Sequence, residues 1–344
     1  MLSLAPDGGP RWSRVRRAPV ACPANSRMGV SLWTPTSTRP VEAPSSCRSI
    51  MWINRRAAAV RVWTPAKVNL FLEVLSRRPD GYHDLATLMV TVGLFDSLEI
   101  QEIPGGEVRL TCDQPNLSTG EDNLIVKAVR LVQQRYGVTS GVEIRLRKRI
   151  PMAAGLAGGS SDAAATLAGL DRLWRSNLGN EELGRLGAEL GSDVTFFFHG
   201  PAAWCTGRGE IVESLPMRKP LDLVLACPKG GLSTASVFRA LSLPSTPLPG
   251  DEVRQALERG EVERLGKALH NRLEEPAMKL SPEVVSLRER IARLDPAGVL
   301  MSGSGSTVFA LARDAADALR LSRALTSVRD YGESARVFVV RSCF

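Results

Sequence analysis

The sequence predicts two α+β domains behind a basic N-terminal extension. A chain of 344 residues is too long for one ordinary hydrophobic core. Short β-rich runs and helical periods begin abruptly after the extension and are mixed without a regular βα alternation, which is typical of the α+β class. Pro216 and Pro220 interrupt this pattern. We therefore predict domains at residues 57–216 and 217–344, with residues 1–56 as a separate, disordered segment.

The extension holds most of the net charge. Residues 1–56 carry nine Arg, no Lys and two acidic residues, so they contribute +7 of the chain's net charge of +8. Seven of the 22 Pro also lie there, and frequent Pro disfavours helices and strands. Three interpretations remain open: an organelle transit peptide, a basic arm for RNA or membrane phosphates, or translated upstream sequence without a role, with the working start near Met51.

Composition excludes several classes for the body of the chain. Residues 57–344 hold 35 basic and 34 acidic side chains, so no nucleic-acid partner is expected there. The six Cys lie far apart without a C-x-x-C pair, which predicts reduced thiols rather than a disulfide framework or a zinc site. No apolar run reaches the roughly 18 residues of a membrane span. We expect a cytoplasmic protein without a membrane partner, or a plastid protein if residues 1–56 are a transit peptide.

Apolar periods and turn residues predict the elements of the body in chain order. The first domain is predicted to contain strands at 60–63 and 69–75, a turn at 78–81, strands at 88–92 and 97–103, a helix at 124–136 capped by Asn123, a strand at 141–150, and helices at 161–174 and 181–190. The second is predicted to contain a strand at 221–226, a mostly helical stretch at 251–294, two strands flanking Gly303, a helix at 315–325 and a strand at 336–340.

The strongest local signal is the glycine-rich segment 151–164, which leads from a predicted strand into a predicted helix. Gly155, Gly158 and Gly159 let the backbone approach a ligand closely, and the following helix presents unpaired N–H groups. This combination suits a di- or triphosphate, and the alternative is a tight turn with a capping side chain. The segment fits neither the Walker nor the dinucleotide spacing.

Three further features carry weaker signals. Residues 301–306 are rich in Gly and Ser; such a hairpin is common, but together with the first loop it indicates a nucleotide cleft lined from both domains. Asp193 is the only charge ahead of the apolar residues 194–198, so it is expected to be partly buried with a partner or a function. If Asp193 is a base, Lys67 would hold it ionised; the alternatives are a surface lysine and a capping aspartate.

Taken in order, these segments resemble the GHMP kinases. Residues 151–164 resemble the phosphate loop of that family, and residues 301–306 its C-terminal glycine-rich motif. The branch that phosphorylates 4-diphosphocytidyl-2-C-methyl-D-erythritol is similar at four further segments, residues 65–70, 78–83, 121–124 and 191–194. The resemblance covers the body and implies the two-domain GHMP kinase fold, with an N-terminal domain like ribosomal protein S5 domain 2 and a ferredoxin-like C-terminal domain.

The resemblance also implies an activity: ATP-dependent phosphorylation of the 2-hydroxyl of 4-diphosphocytidyl-2-C-methyl-D-erythritol, in non-mevalonate isoprenoid synthesis. The alternatives are a homoserine or mevalonate type of kinase and a catalytically silent nucleotide-binding protein. The resemblance makes Asp193 the general base and Lys67 its partner. The implied ATP-binding residues are Pro151, Met152, Ala153, Ala154, Gly155, Leu156, Ala157, Gly158, Gly159, Ser160 and Ser161. The implied substrate-binding residues are Asn69, Tyr82, His83, Gly303, Ser304 and Gly305.

Tyr82 or His83 is expected against the cytosine of the substrate. Mg²⁺ is expected to bridge the phosphates of ATP, although no acidic cluster in the sequence marks its site, and a monomer or weak homodimer is expected.

The sequence departs from the family pattern at four positions. Ala153, Ala154 and Ala157 stand where many members have glycine, and a methyl group there is strained if the backbone needs a positive φ. Thr195 replaces a customary proline and is expected to loosen the turn after Asp193. None of these side chains is a predicted reacting group, so we expect an active enzyme with altered ATP affinity.

Overall fold

The computed structural model describes residues 51–56, 58–327 and 335–344, which lie within one compact unit. In chain order the strands are β1 (Trp52–Arg56), β2 (Ala59–Arg77), β3 (His83–Ile103), β4 (Val108–Cys112), β5 (Gly141–Arg147), β6 (Ala202–Gly207), β7 (Ile211–Ser214), β8 (Asp222–Pro228), β9 (His270–Asn271), β10 (Gly298–Met301), β11 (Val308–Ala312) and β12 (Ala335–Arg341). The helices are α1 (Leu124–Tyr136), α2 (Gly158–Trp174), α3 (Gly179–Leu190), α4 (Thr234–Arg239), α5 (Asp251–Arg259), α6 (Val262–Lys267), α7 (Glu274–Leu280), α8 (Pro282–Ala292) and α9 (Ala315–Thr326).

The larger sheet has the order β1-β2-β3-β5-β4, with β6 paired to β3, β7 to β6 and β9 to β2. Strand β1 is a correction to the predicted disorder of residues 1–56, because Trp52–Arg56 pair in register with Ala59–Trp63 and gain backbone hydrogen bonds. The interpretations of residues 1–50 lie outside the described residues.

Each of the two central strands is longer than predicted. Four predicted strands, at 60–63, 69–75, 88–92 and 97–103, are parts of β2 and β3, which pair antiparallel along nearly their whole length. The apolar pattern of the sequence is interrupted within these strands, so each was predicted as two. Register shifts at Pro65/Ala66 and Asn69/Phe71 let the pairing continue past the interruptions. Irregularities of this kind bend a strand and redirect its side chains. They lie on either side of Lys67, which pairs with Thr91.

Helices α1, α2 and α3 form one core with the larger sheet. The alanine-rich α2 lies close to the sheet, and at Gly169 an added Cβ would be 2.5 Å from Ile100 Cδ1, so only a residue without a side chain allows this approach. At the start of α2, Ser161 Oγ donates to the carbonyl of Pro65 at 2.6 Å. The helix that follows the glycine-rich loop is therefore fixed beside the part of β2 that carries Lys67.

The smaller sheet has the order β10-β11-β8-β12, and all its pairs are antiparallel. Helices separate β8 from β10 and β11 from β12, which gives the β-α-β-β-α-β arrangement and confirms the ferredoxin-like prediction. The predicted helices at 124–136, 161–174, 181–190 and 315–325 are confirmed within three residues at their ends. The prediction missed β4, β6, β7 and β9.

The cysteines depart in part from the expectation of reduced thiols. Cys112, Cys205 and Cys227 are free thiols, as expected, whereas Cys343 is disulfide-bonded and the expectation of reduced thiols is wrong there. Among the helices that the structure describes, none is long and apolar enough to cross a membrane.

Candidate active site

A cleft of about 1350 Å³ collects the predicted site residues. Its lining includes Lys67, Asn69, Tyr82, His83, Asp193, Gly303, Ser304, Gly305 and every predicted ATP-binding residue except Ser161. Ser161 is fully buried, and its hydroxyl contacts Thr64 and Pro65 of β2 instead. This serine therefore anchors the helix behind the loop rather than facing the cleft.

The glycine-rich loop reaches α2 through a left-handed turn. Ala157, the N-cap of α2, has φ 53° and makes no capping hydrogen bond with its side chain. The first N–H groups of the helix therefore have no side-chain acceptor at the N-cap, and the positive end of the helix dipole points toward the loop. Ala153 also has a positive φ of 50°, whereas Ala154 does not. The predicted strain thus applies at two of the three alanines.

The second glycine-rich segment touches the first. An added Cβ at Gly155 would lie 2.0 Å from the carbonyl oxygen of Ser302, so glycine is required there. The Ser302 hydroxyl donates to the carbonyl of Gly155 at 2.9 Å and accepts from the N–H of Asn69 at 3.3 Å. From the other side, the Asn271 amide donates to the carbonyls of Met301 and Gly303, both at 2.7 Å. Ser302 lies in the predicted segment 301–306 but was not named as a site residue, and Asn271 was missed because its sequence context is not distinctive.

The structure brings Lys67 and Asp193 together at the bottom of the cleft. Lys67 Nζ lies 3.4 Å from Asp193 Oδ2; the lysine side chain is 4% exposed and the carboxylate 34%. The same ammonium donates to Asn69 Oδ1 at 2.6 Å, and Asn69 in turn donates to Thr87 Oγ1 at 2.8 Å. A buried cation thus faces a carboxylate that remains open to the cleft. The carboxylate can accept a proton from a group bound in the cleft, and the ammonium can neutralise developing negative charge.

The segment after Asp193 is a buried turn of 3₁₀ helix, Thr195–Phe198. Thr195 is buried, and its hydroxyl donates to the carbonyl of Gly184 in α3 at 3.1 Å. A proline could not make this hydrogen bond, which ties the turn to α3 and acts against the expected loosening.

Aromatic side chains line another part of the cleft. His83 stacks on Phe238 of α4, with ring centroids 5.0 Å apart, and Tyr82 is 55% exposed. Burial and then the charge of Arg77 lower the pKa of His83, so its imidazole is neutral near pH 7. A neutral imidazole offers one donor and one acceptor. Phe238 was missed because a lone phenylalanine in a short helix is not distinctive.

A buried ionic cluster lies behind the first loop. Lys148 Nζ donates to Asp96 Oδ2 at 2.5 Å and to Asp162 Oδ2 at 2.8 Å. An added Cβ at Gly158 would come within 2.9 Å of the Lys148 ammonium, which therefore lies directly behind the loop. Burial raises the pKa of Asp162 well above its usual range, although Lys148 opposes this. The Asp162 Oδ1 atom has no hydrogen-bond partner within the described residues.

Comparisons with known proteins decide the family. Residues 123–201 match the model of the GHMP kinases N terminal domain, and residues 253–329 match that of the GHMP kinases C terminal domain. A 4-diphosphocytidyl-2-C-methyl-D-erythritol kinase of Exiguobacterium sibiricum is 44% identical over 281 residues, which are 81% of this chain and 96% of the relative. The chain belongs to the 4-diphosphocytidyl-2-C-methyl-D-erythritol kinase family. The enzyme of that name from Bacillus subtilis is also 44% identical, over 72% of this chain and 86% of its own length.

Solved structures agree with this family assignment. A crystal structure of 4-(cytidine 5'-diphospho)-2C-methyl-D-erythritol kinase has a TM-score of 0.69 and 36% identity, covering 83% of this chain and 99% of that one. Homoserine kinase from Cytophaga hutchinsonii has a TM-score of 0.67 at 17% identity, covering 85% of this chain and 96% of that one, and this likeness shows the fold alone. Membership of the 4-diphosphocytidyl-2-C-methyl-D-erythritol kinase family makes the protein a small-molecule kinase with ATP as its co-substrate. The predicted GHMP kinase fold and kinase activity are confirmed.

Proposed function

We propose that the protein transfers the γ-phosphoryl group of ATP to the 2-hydroxyl of 4-diphosphocytidyl-2-C-methyl-D-erythritol. The observation that carries this proposal is that one cleft contains a phosphate loop, an ion-paired carboxylate and an aromatic cluster. These three parts match the three chemical groups of the reaction: the triphosphate, the acceptor hydroxyl and the nucleobase.

The first glycine-rich loop holds the ATP phosphates in this proposal. Backbone N–H groups between Gly155 and Ser160 and the N-terminus of α2 supply donors without a fixed countercharge. Mg²⁺ would neutralise charge on the phosphates when bound. In the residues that the structure describes, no group of three or more His, Cys, Asp or Glu side chains is placed to hold a metal ion. Ser160, which lines the cleft, would hold it through its hydroxyl.

Asp193 accepts the proton of the acceptor hydroxyl, and the ammonium of Lys67 lies 3.4 Å from this carboxylate. The ammonium of Lys67 also stabilises the charge that spreads over the transferred phosphoryl group. Asn69 accepts a hydrogen bond from the ammonium and itself donates to Thr87, so the ammonium is held by a short chain of hydrogen bonds. The pair is thus held in place before the substrate arrives.

The cytosine is held at the aromatic end, where Tyr82, His83 and Phe238 line the cleft. The open face of Tyr82 and the ring of Phe238 offer stacking surfaces, and neutral His83 can complement the donor and acceptor edge of a cytosine. A homoserine or mevalonate substrate has no base to place there, which favours the cytidyl substrate over these alternatives.

We also propose the division into domains at residues 57–216 and 217–344, because each of the two sheets draws nearly all its strands from one of these ranges. The relatives reported above are bacterial, which gives no support to a plastid location, and we propose a cytoplasmic kinase. A monomer or weak homodimer remains a prediction, to be measured by light scattering.

The direct test is ADP release with each candidate acceptor, with the product identified by ³¹P NMR. We expect turnover with 4-diphosphocytidyl-2-C-methyl-D-erythritol and at most trace turnover with homoserine or mevalonate. A higher kcat/KM for either of the small acceptors would overturn the assignment of the substrate. A chain that binds ATP but turns over none of the three acceptors would remove the proposed reaction altogether.

A further inference from the structure

Arg208 lies in a tight turn between β6 and β7, in the sequence Gly207-Arg208-Gly209-Glu210. Both glycines have positive φ, 69° and 117°, and the N–H of Gly209 bonds the carbonyl of Thr206 at 3.0 Å. The Glu210 carboxylate accepts the N–H of Arg208 at 2.6 Å, and its other oxygen lies 3.5 Å from Arg208 Nε. The turn therefore fixes both the backbone and the base of the guanidinium.

Arg208 and the next residue, Gly209, connect the two functional ends of the cleft. The guanidinium carbon of Arg208 lies 5.1 Å from the centroid of the Tyr82 ring, at the aromatic end. Gly209 lies against the base: a Cβ added there would be 3.8 Å from Asp193 Oδ1. Any acceptor that has its base beside Tyr82 and its hydroxyl at Asp193 must pass Arg208 on the way.

The guanidinium of Arg208 has N–H groups available to bind a ligand. In the part of the chain that the structure describes, Nη1 and Nη2 of Arg208 donate no hydrogen bond, and the side chain is 30% exposed in the cleft. Arg239, another basic residue of the cleft lining, differs in that it donates to Ala235 and Ser236 of its own helix. A guanidinium with two free edge nitrogens is suited to bidentate binding of phosphate oxygens.

We propose that Arg208 binds the diphosphate bridge of the acceptor nucleotide and so selects acceptors in which a diphosphate joins base and alcohol. This inference rests on the proposed function, since it assumes an acceptor that extends from Tyr82 to Asp193. It assigns Arg208 to binding of the acceptor and gives it no part in phosphoryl transfer. The stacking of the guanidinium on Tyr82 keeps it oriented when no anion is bound.

The test uses Arg208→Met and Arg208→Lys in the full chain, with steady-state kinetics and with CDP and cytidine as inhibitors competing against the acceptor. A lost charge-assisted hydrogen-bond pair predicts that Arg208→Met raises the KM for the acceptor and the Ki for CDP about 10- to 100-fold. The Ki for cytidine and the KM for ATP should stay within about twofold, because neither ligand presents a diphosphate at this point. For Arg208→Lys, the acceptor KM and the Ki for CDP should lie between those of wild type and of Arg208→Met. Lysine keeps the positive charge but cannot donate two parallel hydrogen bonds as a guanidinium does.

Arg239→Met is the matched control, because it removes the same charge from the same cleft lining. It should leave the preference for CDP over cytidine unchanged. If Arg239→Met weakened CDP binding as much as Arg208→Met does, the general charge of the cleft would be what attracts the anion. If Arg208→Met raised the Ki for CDP and the Ki for cytidine in parallel, the arginine would only support Tyr82. Either result would overturn the inference while wild-type turnover of the acceptor leaves the proposed function standing. Wild type without such turnover would instead remove the function on which the inference rests.

Discussion

Replacing Ala157 with glycine should stabilise the protein. Ala157 has φ 53° and ψ 32°, in the left-handed region, where an L-residue with a Cβ is destabilised by about 1–2 kcal/mol. Glycine removes this strain and is also the better N-cap residue, but it increases the freedom of the unfolded chain by about 0.5–1 kcal/mol. The net gain is then about 0.5–1 kcal/mol, and for a chain of this size it should raise Tm by roughly 1–4 °C.

Ala154 supplies the control within the same loop. It has no positive φ and is 4% exposed. Ala154→Gly therefore relieves no strain, adds the same unfolded-state freedom and removes a buried methyl group that contributes about 0.8 kcal/mol. Urea unfolding should show this variant to be less stable than wild type by about 1–2 kcal/mol. Equal destabilisation by both substitutions would refute the reasoning, because it would mean that the backbone at Ala157 carries no strain.

Three further predictions concern the reaction and the dependence on pH. Asp193→Asn should lower kcat about 10²- to 10⁴-fold with little change in the KM for ATP, and a loss of only a few-fold would remove its role as general base. His83→Ala should raise the acceptor KM more than it lowers kcat; because burial and Arg77 lower the pKa of His83, the wild-type KM should stay flat from pH 8 to about 6.5 and rise only below that. At Glu73, burial works to raise the pKa, but hydrogen bonds from Arg272 and from backbone N–H groups outweigh it and lower the pKa. Its stabilising contribution is thus complete above about pH 4.3 and is lost as the pH falls through the lowered value, so unfolding of Glu73→Gln should depend less on pH below 4.3 than that of wild type.

The sequence predicted the helices well because their signals are local. Asn123, for example, caps α1 through its side chain, and this residue and the apolar period that follows it are readable in one short window. The strands were harder to predict. The bulges of β2 at Pro65 and near Asn69 depend on pairing with β3, so their continuity is a property of the pair of strands. Two-residue β9 lies in a stretch with helical periods on both sides, and only its parallel pairing with β2 makes it a strand.

The site was predictable where a residue type is chemically unusual in its context. Two features of the sequence are distinctive by themselves: Asp193 ahead of three phenylalanines, and the three glycines among residues 155–159. Phe238 and Arg208 do not, because a lone aromatic and a lone arginine are ordinary residues until the fold turns them toward the same cleft. Ser161 is the predicted ATP-binding residue that does not line the cleft, for a related reason. Two adjacent serines at the start of a helix lie about 100° apart around its axis, so one can face the cleft while the other faces the sheet.

The glycines of the two loops are required by contacts between segments that are far apart in the sequence. Gly155 has a positive φ, and that alone would favour glycine in any protein. The second loop is the stronger reason for glycine at this position, because a side chain at Gly155 would collide with the Ser302 carbonyl. At Gly303, in turn, an added Cβ would lie 3.1 Å from the carbonyl of Gly155 and 3.4 Å from Asn69 Oδ1. Each loop therefore limits which residues the other can carry. The second loop packs against Asn69, which holds the Lys67 ammonium, and the first loop accepts the N–H of Lys67 at the Leu156 carbonyl. A substitution in the second loop should consequently disturb the ATP site and the catalytic pair together.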